Sequence, residues 1–240
     1  MSQDATTPVE DVDLIERFIA AFNAIDQHLQ RILGEDGKSS FRNLVDVYAH
    51  QHKWWRDGER LRTYTQLRNV LVHEKTAPYT YVCVPTVATV ADLEAIRDRF
   101  IHPTKVIPMF ARNVVVIAPQ DSLDIALSLI NENNYSRLPV YDGGHFVGLL
   151  TENGITRWLA HQVSSGSRPT DFKIAVRDVL PREQRRANVS FIGRSMAVEQ
   201  VAYQFHENTF LEAVLITQRG KENEPLLGII TRGDVVGLGS

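Results

Sequence analysis

Val147-Gly148-Leu149-Leu150-Thr151-Glu152-Asn153-Gly154 returns, 80 positions later, as Leu227-Gly228-Ile229-Ile230-Thr231-Arg232-Gly233-Asp234. Each word is a short apolar run with glycine in second place, closed by threonine and a polar turn. A stretch of this kind reads as a buried strand running into a helix start. Outward from the first word, Asp142-Gly143-Gly144 is a hairpin turn, because glycine accepts the positive φ that a two-residue loop demands. Leu138-Pro139-Val140-Tyr141 is the partner strand. Further upstream, Asp121-Ser122-Leu123 opens a helix carrying Ala126, Leu127, Leu129 and Ile130, and residues 114–117 (Val-Val-Val-Ile) read as a short buried strand. A closing helix is predicted over 152–162.

The second word sits in the same series: strand 189–192, helix 197–206, strand 213–217, loop 218–224, strand 226–231, and a helical turn from Asp234. Two β-α-β-β-α units of similar size are the mark of an internal repeat. Residues 164–169 (Ser-Ser-Gly-Ser-Arg-Pro) between them read as a flexible connector, with a linker reaching 187.

Ahead of the repeat the period changes. Leu14, Ile15, Phe18, Ile19, Phe22, Ile25, Leu29, Ile32 and Leu33 recur at helical spacing, and Gly34 and Gly37 end that helix. Phe41, Leu44, Val45 and Tyr48 predict a second helix. Leu61, Tyr64, Leu67, Val70 and Leu71 predict a third, running to about His73. Pro78, Pro85 and the β-branched run 86–90 break the pattern, and 91–101 reads as a connecting helix before Pro103. The expected organisation is α+β: a helical domain over 1–77, a connector over 78–105, one repeat over 106–163, a linker over 164–187 and a second repeat over 188–240.

The chain of 240 residues, 43% apolar and 23% charged with a net charge of −3, has the composition of a packed globular protein. That charge gives no global pull toward nucleic acid. No apolar run approaches the roughly 20 residues that cross a bilayer, and residues 1–10 lack the basic and apolar regions of a signal peptide. A soluble cytoplasmic protein is expected. The single Cys83 cannot close an internal disulfide and reads as a small packed hydrophobe.

The Leu138-Pro139-Val140 strand of the first unit and the Gly-x-x-Thr-x-x-Asp ending of the second resemble the CBS family, named for the regulatory domain of cystathionine β-synthase, over roughly residues 100–238. The resemblance implies two repeats packed as a pseudo-symmetric pair with clefts for AMP, ADP, ATP or a related adenine ligand. It places Asp234 on the ribose hydroxyls, Thr231 on a phosphate favoured by nearby N–H groups and the helix end, and Arg232 beside a di- or triphosphate. It gives backbone groups near Tyr135, Ser136, Arg137 and Leu138 to the adenine edge, and Phe110 and Val115 to its face. The Thr-x-x-Asp spacing is equally that of a helix cap, and both roles can coexist. The symmetry-related site departs from the pattern: Gly154 replaces the aspartate, Asn153 is a poor substitute, and Glu212, read as matching Arg137, would repel a phosphate. One competent nucleotide site is expected.

Leu67-Arg68-Asn69-Val70-Leu71-Val72-His73 resembles the Arg-Asn-x-x-x-His motif of HEPN domains over roughly residues 11–76. Such bundles often dimerise, and many are metal-independent ribonucleases. The resemblance implies His73 as general acid or base, Arg68 as the stabiliser of phosphorane charge and Asn69 as an orienting group, in a site shared by two protomers. The same residues on a packed helix can instead tie helices together. His50, His52, Lys53, Trp54, Trp55 and Arg56 suit either a stacking surface for single-stranded RNA or a packing corner. His50 and His52 lie on different helix faces, so no metal site is expected. Arg182, Arg185 and Arg186 read as a solvated loop, and Ser122 and Ser195 as helix caps.

Three functions remain open on the sequence. They are an adenine-nucleotide sensor that requires no cofactor and is expected by resemblance to be a homodimer, a nucleotide-gated ribonuclease, and a structural dimerisation protein with a vestigial cleft.

Overall fold

A computed structural model describes residues 8–35, 37–73, 75–77, 80–166, 172–182 and 188–236. Pro78, the 167–169 part of the connector, Arg185 and Arg186 lie outside the described residues. The chain forms two compact units, Met1–Thr104 and Lys105–Ser240.

The first unit contains α1 (Val9–Leu33), α2 (Phe41–Gln51), α3 (Gly58–His73), a short antiparallel pair β1 (Lys75–Ala77) and β2 (Thr80–Tyr81), and α4 (Val87–Ile101). Along α1 the predicted apolar stripe is buried at Ile15, Phe18, Phe22, Ile25 and Leu29. Gly34 ends the helix at φ 68°, a conformation that glycine adopts without strain. Ser40 starts α2 by accepting the Asn43 N–H at 3.3 Å.

The expected connecting helix is a fourth member of this bundle. Its Val90, Leu93, Ile96 and Phe100 are buried in the same core as the α1 stripe. Arg17 of α1 binds Glu94 through two hydrogen bonds of 3.0 and 2.7 Å, and Tyr64 of α3 donates to Asp92 at 2.7 Å. The β-branched residues 86–90, taken in the sequence as breaking the pattern, are instead a cap and a first turn: Thr86 accepts the Thr89 N–H at 3.2 Å. Burial of the apolar face outweighs the few tenths of a kcal/mol per residue that β-branching costs in a helix, roughly 0.7 at most.

The second unit carries the repeat. Its elements are a helical turn α5 (Val106–Met109), α6 (Leu123–Asn133), β3 (Arg137–Asp142), β4 (His145–Thr151), α7 (Glu152–Ser164), α8 (Val176–Val179), β5 (Val189–Gly193), α9 (Val198–Glu207), β6 (Ala213–Thr217), β7 (Gly228–Thr231) and α10 (Arg232–Val235). The β3–β4 hairpin turns at Gly143 and Gly144, both at positive φ, as the Asp-Gly-Gly signal predicts. Antiparallel β6–β7 repeats that pairing, and β5 joins β6 in parallel over five residue pairs.

The strand expected at 114–117 shrinks to a single bridge between Ile117 and Val140. Ile117 N–H bonds the Pro139 carbonyl at 3.1 Å, and Tyr141 N–H bonds the Ile117 carbonyl at 2.9 Å. The next rung of a parallel ladder needs an N–H from residue 139, and proline has none. Leu215 holds that place in β6, and there the pairing continues.

The two copies exchange their leading turns. Val106 and Phe110, from before the first copy, are buried in the core of the second with Ile192, Val201, Phe205, Ile216 and Ile230. Val176, Val179 and Leu180, from before the second copy, are buried in the core of the first with Leu123, Leu138, Val140, Leu150 and Trp158. Residues 172–182, placed by the sequence in a linker, thus complete a hydrophobic core. Gly228 is where the exchange is tightest, since a Cβ there would lie 2.2 Å from the Phe110 carbonyl oxygen.

Candidate functional site

A cleft of about 200 Å³ opens within the second unit, between the corner 134–138, the segment 112–115, and Ile229, Thr231 and Asp234. Each wall has a local cause. Asn134 ends α6 at φ 55°, a left-handed cap that asparagine tolerates, and swings Tyr135 and Ser136 into the cleft. Because Pro139 cuts the ladder short, Asn113, Val114 and Val115 are released to line the opposite face. The third wall is the end of β7.

Both carboxylate oxygens of Asp234 are engaged there. Its Oδ2 accepts the Thr231 N–H and the Thr231 hydroxyl, each at 2.7 Å, and its Oδ1 accepts from Arg112 Nη2 at 2.9 Å. Burial pushes this carboxyl up, but the bonds from Thr231 and Arg112 outweigh it and hold the pKa below the ordinary aspartate value. The capping role of the Thr-x-x-Asp spacing is therefore present in the same side chain that faces the cleft.

Of the residues assigned to the ligand, Val115, Tyr135, Ser136, Arg137, Leu138, Thr231 and Asp234 are brought together around this cleft. Two are not. Phe110 is a core residue of the second copy, carried there by the exchange of leading turns. Arg232 turns away: Nη1 and Nη2 donate to the carbonyls of Phe205 and Asn208 at 2.7 and 3.1 Å, and the guanidinium lies over the Phe205 ring. It closes the open end of α9 rather than facing a phosphate. Nor can α10, four residues long, supply much dipole. Two backbone groups assigned to adenine are already used: Tyr135 N–H bonds the Ile130 carbonyl, and the Ser136 carbonyl accepts from Glu152 N–H.

Arg112, Asn113, Val114, Asn134 and Ile229 line the cleft without having been singled out in the sequence. Only Asn134 carried a signal, as an asparagine at a helix end.

At the related position of the first copy, Gly154 is buried and its N–H donates to Thr151 Oγ1 at 3.1 Å. Glu212 forms an ion pair with Arg137, with Nη2 at 2.7 Å. Strand register corrects the equivalence drawn from sequence: Arg137 faces Thr151 as Ala213 faces Thr231, so Glu212 matches Ser136. Ser122 stands before α6, but its hydroxyl bonds the Asp124 side chain. Ser195 does not cap α9, whose cap residue is Ala197.

A second cavity, of about 450 Å³, lies in the first unit and is lined by Phe22, Asp26, Phe41, Arg42, Arg62, Arg68 and Asn69, among others. Arg68 Nε and Asp26 Oδ1 are buried there without a hydrogen-bond partner. His73, the exposed last residue of α3, is not among the lining residues. The neighbouring aromatic cluster packs inward: Trp55 is buried, with its ring 4.9 Å from Tyr48 and 5.2 Å from Phe100. Among the described residues, no His, Cys, Asp and Glu group is arranged to hold a metal, and no helix is long and apolar enough to cross a membrane.

The sequence model of the CBS domain matches residues 107–161. No curated protein matches the chain. Among solved structures, the CBS domain of a CBS domain-containing membrane protein from Sphaerobacter thermophilus is 24% identical, with 64% of this chain and 98% of that one covered, at a TM-score of 0.47. CBSX2 in complex with AMP is 26% identical over 53% of this chain and 88% of its own, at 0.39. The CBS domain pair of protein MJ0100, in complex with 5′-methylthioadenosine and S-adenosyl-L-methionine, is 19% identical over 57% and 95%, at 0.42.

Proposed function

We propose that the second unit is a regulatory module that binds one adenine nucleotide, AMP, ADP or ATP, and through its occupancy controls the helical unit or a partner protein. The observation that carries this reading is the meeting of Asp234 and Thr231 with the 134–138 corner and Val115 in one cleft. A carboxylate is the acceptor that a ribose diol needs, since it takes two hydroxyl hydrogens in charge-assisted bonds. The match of residues 107–161 to the CBS domain supports a regulatory module of that kind in this unit. Control requires the ligand to favour one arrangement of the protein over another, because equal affinity shifts nothing.

A thermal-shift panel tests it. AMP, ADP, ATP, S-adenosylmethionine and NAD are added to the purified full chain and to Asp234→Ala. Stabilisation by an adenine nucleotide that vanishes in the variant supports the reading; no stabilisation by any of them overturns it.

A second reading is a HEPN-type ribonuclease of the first unit, acting on RNA as a homodimer. What favours it is the unpartnered Nε of Arg68 beside Asn69 in the 450 Å³ cavity. Since His73 lies outside that cavity, a histidine from a second protomer would have to complete the site. RNA cleavage lost in His73→Ala and Arg68→Ala but kept in Asp234→Ala supports this reading. Dimers without cleavage or nucleotide binding would leave the structural dimerisation protein.

A further inference from the structure

We infer that Arg112 is a latch on the nucleotide cleft, held by Asp234 in this structure and transferred to the 5′-phosphate of an incoming nucleotide, so that the cleft discriminates nucleotides from nucleosides. The inference rests on the nucleotide-binding reading and adds a residue and a selectivity to it.

The argument begins with the acceptor capacity of Asp234. Thr231 occupies Oδ2 twice and Arg112 occupies Oδ1. A ribose diol needs that carboxylate, and the Thr231 bonds come from the adjoining turn and hold it in place. Arg112 is the bond that can yield. It arrives from a segment 122 positions away, and its side chain is 43% exposed against 25% for Asp234. An arginine has long reach and its guanidinium stays charged at any working pH, so once displaced it seeks another anion nearby.

The balance of charge selects that anion. Arg137 lines the same cleft but is paired with Glu212, and Arg232 is committed to two carbonyls. Arg112 is thus the cleft cation whose counter-ion is the group the ligand must take. A nucleoside that displaces it gains the bonds to Asp234 while leaving a guanidinium without its partner. A nucleoside monophosphate supplies the replacement, because phosphate matches the guanidinium fork through paired N–H···O bonds. Withdrawal of Arg112 from the Asp234 wall would also widen a cleft whose present 200 Å³ is below the roughly 300–1,000 Å³ of ordinary ligand pockets.

Calorimetric titration of the full chain with AMP, adenosine and 2′-deoxy-AMP, on the wild type, Arg112→Ala and Arg112→Gln, separates the parts. The expected wild type binds AMP at least about tenfold more tightly than adenosine or 2′-deoxy-AMP, the loss of one charge-assisted contact being worth about that factor. In both variants AMP weakens by about tenfold, whereas adenosine holds or improves because Asp234 is freed, and the preference collapses. Circular dichroism melts confirm that the variants fold, and Arg112→Gln retains a side-chain donor to Asp234 without the charge. If the AMP-to-adenosine ratio is the same in wild type and variants, the latch is overturned while nucleotide binding stands. If the wild type binds neither compound, the nucleotide reading falls and the latch falls with it.

Discussion

The two copies end in the same threonine and then diverge at one side chain. Thr151 turns its hydroxyl forward to accept the Gly154 N–H, an ordinary helix cap in a buried corner. Thr231, turned the same way, donates its hydroxyl to the Asp234 carboxylate three residues on, which also takes the threonine N–H and the Arg112 guanidinium. The fold needs only that the turn be capped, and either arrangement meets that need. A carboxylate at the third position does so while keeping an acceptor face toward a cleft, whereas glycine leaves nothing there. Both copies thus keep a capped turn, and only the second places a carboxylate at its third position.

The largest effect should come from removing that difference. With nucleotide at about 100 times its dissociation constant, binding adds about 2.7 kcal/mol to the wild type, and Asp234→Ala should lose all of it. Titration should give one nucleotide per chain; two would break the contrast between the ends. Next in size is Gly228→Ala, whose methyl group would meet the Phe110 carbonyl and should cost about 1–3 kcal/mol in a denaturant melt. A cost near zero would mean that the exchanged turn is loosely held. Arg137 and Glu212 join the two copies across a partly buried ion pair, and a double-mutant cycle to alanine should return a coupling of about 0.5–1 kcal/mol.

The smallest effect is on pH dependence. The folded pKa of Asp234 is depressed, so the stability it contributes is present above its unfolded value of about 3.9 and is lost as pH falls through the folded value. Melting temperatures of wild type and Asp234→Asn should therefore converge below about pH 4 and separate above it. A difference that stays constant with pH would mean that the carboxylate is no more engaged than an exposed one.

What could be read from sequence and what could not divides by distance along the chain. The 142–144 turn and the Thr231 to Asp234 ending are local words, each with its cause within a few residues, whereas the 135–138 corner came only with the family resemblance. Arg112 had no such word, since its meaning lies in a partner 122 positions away. Arg232 was misread because the carbonyls it satisfies belong to the end of α9, and Phe110 because its core belongs to the other copy. The 114–117 run has the composition of a strand, but pairing depends on a donor that the facing Pro139 lacks. In α4 the burial of Val90, Leu93, Ile96 and Phe100 decided what the β-branched run obscured.

The exchanged turns separate the unit that was duplicated from the unit that can fold. A fragment that stops at residue 166 holds the whole first repeat, yet lacks Val176, Val179 and Leu180, which fill its core, and carries Val106 and Phe110 without the core that receives them. Neither copy is thus a free-standing domain, since each core is completed by a turn that precedes the other copy. Cleavage between them should leave two pieces that stay associated, and an insertion there should be tolerated far better than a deletion that shortens the path from α7 to α8.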